Sequence, residues 1–420
     1  MSSQDILLFS HNWKPRFFSI WVGQTISLLG TSLAQFAIIW HLTQQTGSAT
    51  VLAMASLVGM LPQIVLGPVI GALVDRWNRR MVLIAADALN ILTTLALALL
   101  FAAGTAQVWH IYLALMLRSA SSSFRDSAMG ASIVMLAPKE QFARLQGINQ
   151  ARMGLMSVLS APLGALLLAL TPIQNILHAD WLTTLFAIAP LLVFSIPQPE
   201  KHPTASATSV LQDMKDGLTF VLGWRGLSIL ILIAMLINLL LTPTFALTPL
   251  LVTKYFNGGA AQLAALEMAM GVGVILGGLG LGAWGGFKKR IVTAMLGLMG
   301  MGVGVLLVGM APAALFAVAL AGMFFTGVAN PITNGSIGAI MQSMIPANMQ
   351  GRVFSLLGTG AMIASPLGMI VAGPLSDLVG VRVWFVIGGI ICIALALLCN
   401  LIPSVMNIEL HKHAPAPSHS

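Results

Sequence analysis

Long apolar runs broken by short polar turns repeat along the whole chain. Val51 to Val74 contains no charged residue, and Met81 to Ala103 contains only Asp87. A helix crosses a bilayer with ~20 such residues. Runs of that length fall at about 17–40, 48–74, 81–103, 110–135, 147–170, 181–197, 227–251, 260–285, 291–311, 313–345, 353–376 and 383–402. The pattern predicts an all-α membrane protein with twelve transmembrane helices. The longest polar break opens with PQPEKHPTASATS, a Pro/Ser/Thr-rich linker. After it, Leu211, Met214, Leu218 and Val221 share one helical face, suited to lying on a membrane surface. The predicted organisation is a six-helix bundle over 1–197, a cytoplasmic linker with an amphipathic helix over 198–226, a second bundle over 227–402 and a cytoplasmic tail over 403–420.

Charge fixes the orientation. Basic residues resist translocation and collect on the cytoplasmic side. Lys14 and Arg16 precede the first run, so the amino terminus is expected inside. Alternate turns then hold Arg76, Arg79, Arg80, Lys139, Arg144, Lys201, Lys215, Arg225, Lys288, Lys289, Arg290 and Arg352, while the opposite turns offer only Lys254 and Arg382. Both termini are expected in the cytoplasm, and the protein in a bacterial inner membrane.

The two halves echo each other. Gln146-Gly147 in span five precedes Pro162-Leu163-Gly164 at the interval that separates Gln350-Gly351 from Pro366-Leu367-Gly368 in span eleven. Pro162, Gly164, Pro366 and Gly368 are candidate helix-bend positions. Gly71-Ala72 before the basic turn of span two matches Gly282-Ala283 before Lys288-Lys289-Arg290. A duplicated six-helix unit is the sequence sign of a secondary transporter.

The turn GALVDRWNRR resembles the signature of the major facilitator superfamily, with Gly71, Asp75, Arg76, Arg79 and Arg80 in the expected places. NWKPRFFSIWVGQTISLLG, LTQQTGSATVLAMASL and GRVFSLLGTG are similar to the macrolide-efflux, drug/proton antiporter branch. The resemblance runs through the whole chain. It implies two pseudo-symmetric bundles, alternating access, and an inner gate of those five residues with Arg352, in which Asp75 docks at the start of span eleven. A helix amino end stabilises such an acid by ~0.3–1 kcal/mol. The sequence departs from the branch where span five has Ala161-Pro162 and Gly164-Ala165. It departs again where Gly286 replaces an acid and where Ser121 and Ser122 follow Arg118.

Charges inside the runs are the candidate chemistry. Arg118, Ser122 and Arg125 share a face of span four, with Asp126 beside them. Each charge at that depth costs ~2.5–3.5 kcal/mol unless it meets a cavity or partner. Two readings stand: a charged cavity wall, or an Arg–Asp pair that only fixes packing. Glu267 lies roughly 10 Å inside span eight, a depth suited to proton uptake and release. Proton-coupling candidates are Glu267, Asp126 and Asp87, the last also a partner for the basic turn. Gln24, Thr31 and Gln35 in span one, Asn238 and Thr242 in span seven, and Thr326, Asn330 and Asn334 in span ten are substrate-cavity candidates. Such stripes line water or join helices at ~0.6 kcal/mol per contact. The glycines of span eight read as close packing.

Composition supports the membrane reading. The chain is 57% hydrophobic and 8% charged, with mean hydropathy +0.92, whereas soluble domains carry roughly 25% charged residues. The net charge of +8 sits in membrane turns, which disfavours nucleic acid. Cys392 and Cys399 lie in one run as packing residues. No metal or phosphate-binding spacing occurs, so no enzyme, cofactor or ATPase on this chain is expected. The expected protein is a monomeric exporter of amphipathic small molecules such as macrolides, with protons and the lipid bilayer as its other partners. The alternatives are export of a siderophore or other anionic metabolite, favoured if Arg118 and Arg125 face the cargo, and a non-transporting receptor or scaffold.

Overall fold

In a computed structural model, which describes residues 13–136, 138, 141–194, 196 and 210–410, the apolar runs are helices. The first six are α1 (Trp13–Thr46), α2 (Ala49–Arg76), α3 (Arg79–Ala102), α4 (Val108–Leu136), α5 (Phe142–Leu170) and α6 (Ile173–Val193). After α7 (Val210–Gly223) come α8 (Arg225–Ala246), α9 (Thr248–Lys254), α10 (Ala260–Trp284), α11 (Arg290–Met310), α12 (Phe316–Met344), α13 (Ala347–Val379), α14 (Val381–Asn400) and the short α15 (Pro403–Met406). Eleven of these are long and apolar enough to cross a membrane. The twelfth span is α4, 29 residues long and interrupted by Arg118, Arg125 and Asp126. In lipid every backbone group must bond internally, which leaves a chain this apolar little choice but helices.

Local chemistry sets the ends. Asn78 caps α3, its side-chain oxygen accepting from the Arg80 and Met81 amides. Gly285, at φ +76°, closes α10 in the left-handed region. Several helices overrun their apolar runs. α6 begins at Ile173, directly after Pro172, so Asp180 lies within the helix rather than in a turn before residue 181. The run at 227–251 is split, with Pro249 opening α9. The linker residues 197–209, Lys139 and the tail 411–420 lie outside the described residues. On α7, Val221 is buried and Gly217 packs on Arg352 and Leu356 of α13, while Leu218 is exposed. Leu218 of the predicted stripe is thus open to the surroundings while Val221 faces the protein, and the side chains of Leu211 and Met214 are not among those described.

The chain forms two compact units, Met1–Thr46 with Met54–Lys201, and Gly47–Ala53 with His202–Ser420. In the first, α1 packs on α5 and α6, and α3 packs on α4 and α6. One apolar cluster, including Phe17, Ile70, Leu83 and Leu191, lies at the end near the basic turn. In the second, α12 packs on α10 and α11, α11 on α14, and α8 on α13. Gly164 and Gly368, the echoed glycines, do the same work in each unit. A Cβ on Gly164 would come within 2.8 Å of the Phe36 ring of α1, and one on Gly368 would strike the Leu239 carbonyl of α8. Within the second unit, Asp377 caps the segment that opens α2. It accepts from the Ala49 amide at 2.7 Å, the Thr50 amide at 2.9 Å and the Ser48 hydroxyl at 2.9 Å.

Candidate functional site

A polar seam runs through the interior of the first unit. Helical periodicity aligns Gln24, Ser27 and Thr31 on α1, Asp87, Asn90 and Thr94 on α3, Arg118 and Arg125 on α4, and Asp180 and Thr184 on α6. All but Thr31 are buried. Burying so many polar groups requires that they satisfy one another, and they do so in three stations.

At one end, Arg118 forms an ion pair with Asp180 through Nη1. The same nitrogen donates to Thr94 Oγ1 at 2.6 Å, and Nη2 donates to the Thr31 carbonyl at 3.1 Å. Asp180 also accepts from the Thr31 hydroxyl at 3.0 Å and the Thr94 hydroxyl at 3.1 Å. In the middle, Ser27 and Asn90 donate to Thr184 Oγ1 at 3.2 and 3.3 Å, and Thr184 donates to the Asp180 carbonyl at 2.9 Å. At the other end, Gln24 donates to Asp87 Oδ2 at 2.9 Å, while Arg125 Nη1 stands 3.9 Å from Asp87 Oδ1.

The two arginine–carboxylate pairs therefore differ. Asp180 is saturated by three helices. Asp87, with no exposed surface, has one carboxylate oxygen without a hydrogen bond. Arg125 is also 3.9 Å from Asp126, whose side chain is 79% exposed. Arg125 thus stands between a buried acid and an exposed one, and it donates to Ser122 at 3.3 Å. Asp126 is consequently not a buried acid. The guanidinium of Arg118 is occupied by Asp180, a residue that the apolar runs alone placed in a turn. The need of a buried arginine for a carboxylate, and Pro172 as a helix start, are the signals that point to it.

The remaining candidates are dispersed. Gln35 is exposed. Asn238 donates to the Ala234 carbonyl of its own helix at 2.8 Å, and Thr242 is 3.0 Å from Ser365. Thr326 is buried and donates to the Gly322 carbonyl at 2.8 Å, while Asn334, exposed, donates to half-buried Asn330 at 3.3 Å. Glu267 is half-buried and has no hydrogen-bond or ion-pair partner among the described residues. At the basic turn, Gly71 and Arg76 are exposed. Arg79 donates to the Ala131 carbonyl at 2.8 Å, and Arg80 donates to the Leu191 and Leu192 carbonyls. Arg352 is half-buried. Asp75 lies in α2, and its side chain is not among those described. No cluster of metal-ligating side chains occurs among the described residues.

Comparison with known proteins adds to this geometry. The sequence profile of the Major Facilitator Superfamily matches residues 20–369 and again 246–414. The chain is 32% identical over 400 residues to Macrolide efflux protein A of Streptococcus pyogenes, covering 95% of this chain and 99% of that protein. It is 25% identical over 396 residues to Multidrug efflux pump Tap of Mycolicibacterium fortuitum, covering 91% and 94%. Its fold is similar to that of a bacterial homologue of the human lysosomal transporter Spinster, with TM-score 0.70, 12% identity and coverage of 97% and 99%. A bacterial homologue of the iron transporter ferroportin matches with TM-score 0.70, 16% identity and coverage of 91% and 98%.

Proposed function

The chain belongs to the Major Facilitator Superfamily and is a non-enzymatic, multi-span membrane transporter; from that premise we propose that it exports amphipathic small molecules of the macrolide type in exchange for protons. The observation that carries the cargo class is the near full-length similarity to Macrolide efflux protein A. The two six-helix bundles alternate access from the bacterial inner membrane, with both termini in the cytoplasm and one chain as the working unit. The turn from Gly71 to Arg80, with Arg352, acts as the inner gate. The bonds from Arg79 and Arg80 to backbone carbonyls support this by fixing the turn to α4 and α6.

Glu267 is the proposed proton carrier. It stands half-buried without a partner among the described residues, so gaining a proton breaks no existing contact. Asp87, tied to Asp126 through Arg125, is the second candidate. The case for an anionic cargo depended on Arg118 and Arg125 facing it. Both guanidinium groups instead face carboxylates, Asp180 and Asp87, so that case loses its basis.

Expression in a pump-deficient bacterial host should raise the macrolide concentration needed to stop growth several-fold, and an uncoupler should abolish the rise. No change for any macrolide, with the protein present in the membrane, defeats the cargo assignment. Glu267→Gln should abolish substrate-induced proton release from purified protein while keeping binding, read by tryptophan fluorescence. Normal release in Glu267→Gln, with loss in Asp87→Asn, moves the role to Asp87.

A further inference from the structure

Beside the basic turn, and wholly within the first unit, lies a cavity of about 660 Å³, well within the range of small-ligand sites. Its walls include Trp77, Met81, Ala85 and Leu89 along one side and Phe124 of α4 on the other, with Arg76 as the charged residue among the described residues of the lining. The rings of Trp77 and Phe124 lie nearly parallel, 10° apart, with centroids 6.4 Å from one another. Trp77 is 51% exposed and Met81 60%, so the cavity has an open side.

Two polar side chains of the lining are already engaged. Asn78 caps α3, and Ser121 donates to the Ala86 carbonyl at 2.6 Å. What remains for a ligand is a long apolar wall and one guanidinium at its end. A cargo with polar groups spread along its length would find few partners along this wall.

Length narrows the class further. From Met81 to Leu89 the wall follows α3 for about 12 Å at 1.5 Å per residue, with Arg76 and Trp77 preceding the helix. One leaflet of a bilayer's hydrocarbon core is about 15 Å thick. The cavity therefore starts at a membrane–water boundary, where a Trp is at home, and ends near the midplane. Basic side chains in that position attract anionic head groups.

We propose that this cavity holds one acyl chain of an anionic phospholipid drawn from the leaflet on the basic-turn side, with its phosphate at Arg76. The site is separate from the polar seam, and the proposal does not depend on what the transporter exports.

The test uses the full-length protein in phosphatidylcholine nanodiscs containing a minor fraction of phosphatidylglycerol, with brominated acyl chains on one lipid at a time. The emission of Trp77 is the difference between the wild-type protein and Trp77→Phe. Brominated phosphatidylglycerol should quench it with about fivefold preference over brominated phosphatidylcholine at equal fraction, the gain expected from one basic group near an anionic surface. Arg76→Gln should remove the preference. Ala85→Phe, at an exposed lining position, should fill the cavity and weaken quenching by both lipids; Met81→Trp fills it from a second position should that variant not fold. Equal quenching by the two lipids overturns the proposal, as does a preference that survives Arg76→Gln. A macrolide that relieves the quenching would make the cavity a cargo site and overturn it equally.

Discussion

The two units bury similar helices by opposite means. In the first, α1, α3, α4 and α6 are joined by the seam of Gln24, Asp87, Arg118, Asp180 and their hydroxyl neighbours. In the second, α10, α11, α12 and α14 carry a single carboxylate, Glu267, and meet through glycine. Gly273 and Gly277 of α10 face Gly327 and Val328 of α12, Gly304 of α11 faces Gly322 and Thr326, and Gly302 of α11 faces Gly389 of α14. Inside a membrane the hydrophobic effect does not favour helix–helix contact over helix–lipid contact. Association depends on polar bonds or on backbones that approach closely. One fold can take either route, and each route fails in its own way. A polar seam fails when one partner is lost, whereas a glycine seam fails when any side chain is added.

The largest effect is expected at Asp180. Asp180→Asn leaves Arg118 buried without its counter-charge, and breaking such a pair costs about 3–5 kcal/mol. Thermal unfolding of detergent-solubilised protein should show a large loss of stability or no monodisperse protein at all. Replacing both partners, Asp180→Leu with Arg118→Met, should recover much of that loss because no charge is left stranded. If Asp180→Asn unfolds with wild-type stability, the seam is not what joins the helices of the first unit.

How far the sequence revealed this can be judged from the same residues. The spans, their number and the repeat were legible because lipid imposes long uninterrupted apolar runs. The charges of α4 were legible as needing partners. Their actual partners were not, since Asp180 and Asp87 lie on other helices and one sequence carries no contacts. Asp126 was misleading for a related reason: adjacency in sequence to Arg125 suggested a buried pair, but successive residues on a helix point in different directions. The abundant glycines signalled close packing without distinguishing those at a contact from those facing outward. The contact of α7 with α13 through Gly217 was not legible, because a glycine adds nothing to an apolar stripe.

That distinction among glycines supplies the next test. A Cβ on Gly277 would meet the Val328 backbone, with its Cα at 2.8 Å, whereas one on Gly280 of the same helix meets nothing within 4 Å. Gly277→Val should therefore destabilise the second unit by about 1–3 kcal/mol through overpacking. Gly280→Val should stay within about 0.5 kcal/mol. Equal effects at the two positions would mean that helix propensity, not backbone approach, governs this unit.

The smallest effect is expected at the exposed edge of the polar seam. Asp126 stands 3.9 Å from Arg125, with a side chain 79% exposed. Water and ions screen such a pair, and removing its charge should change stability by less than about 0.5 kcal/mol. Asp87, wholly buried at the same distance from the same arginine, gives the contrast. Asp87→Asn removes the interior partner of Arg125 and leaves the guanidinium to Asp126 and the Ser122 hydroxyl. The ordering expected in thermal unfolding is therefore Asp180→Asn, then Asp87→Asn, then Asp126→Asn close to wild type. In proton-release measurements Asp126→Asn should behave as wild type if Glu267 carries the proton alone. If release is lost in Asp126→Asn while stability is kept, the pathway runs through the first unit, from the exposed acid across Arg125 to Asp87. The buried ion pair would then serve coupling as well as packing, and the contrast between the two units would be functional rather than only structural.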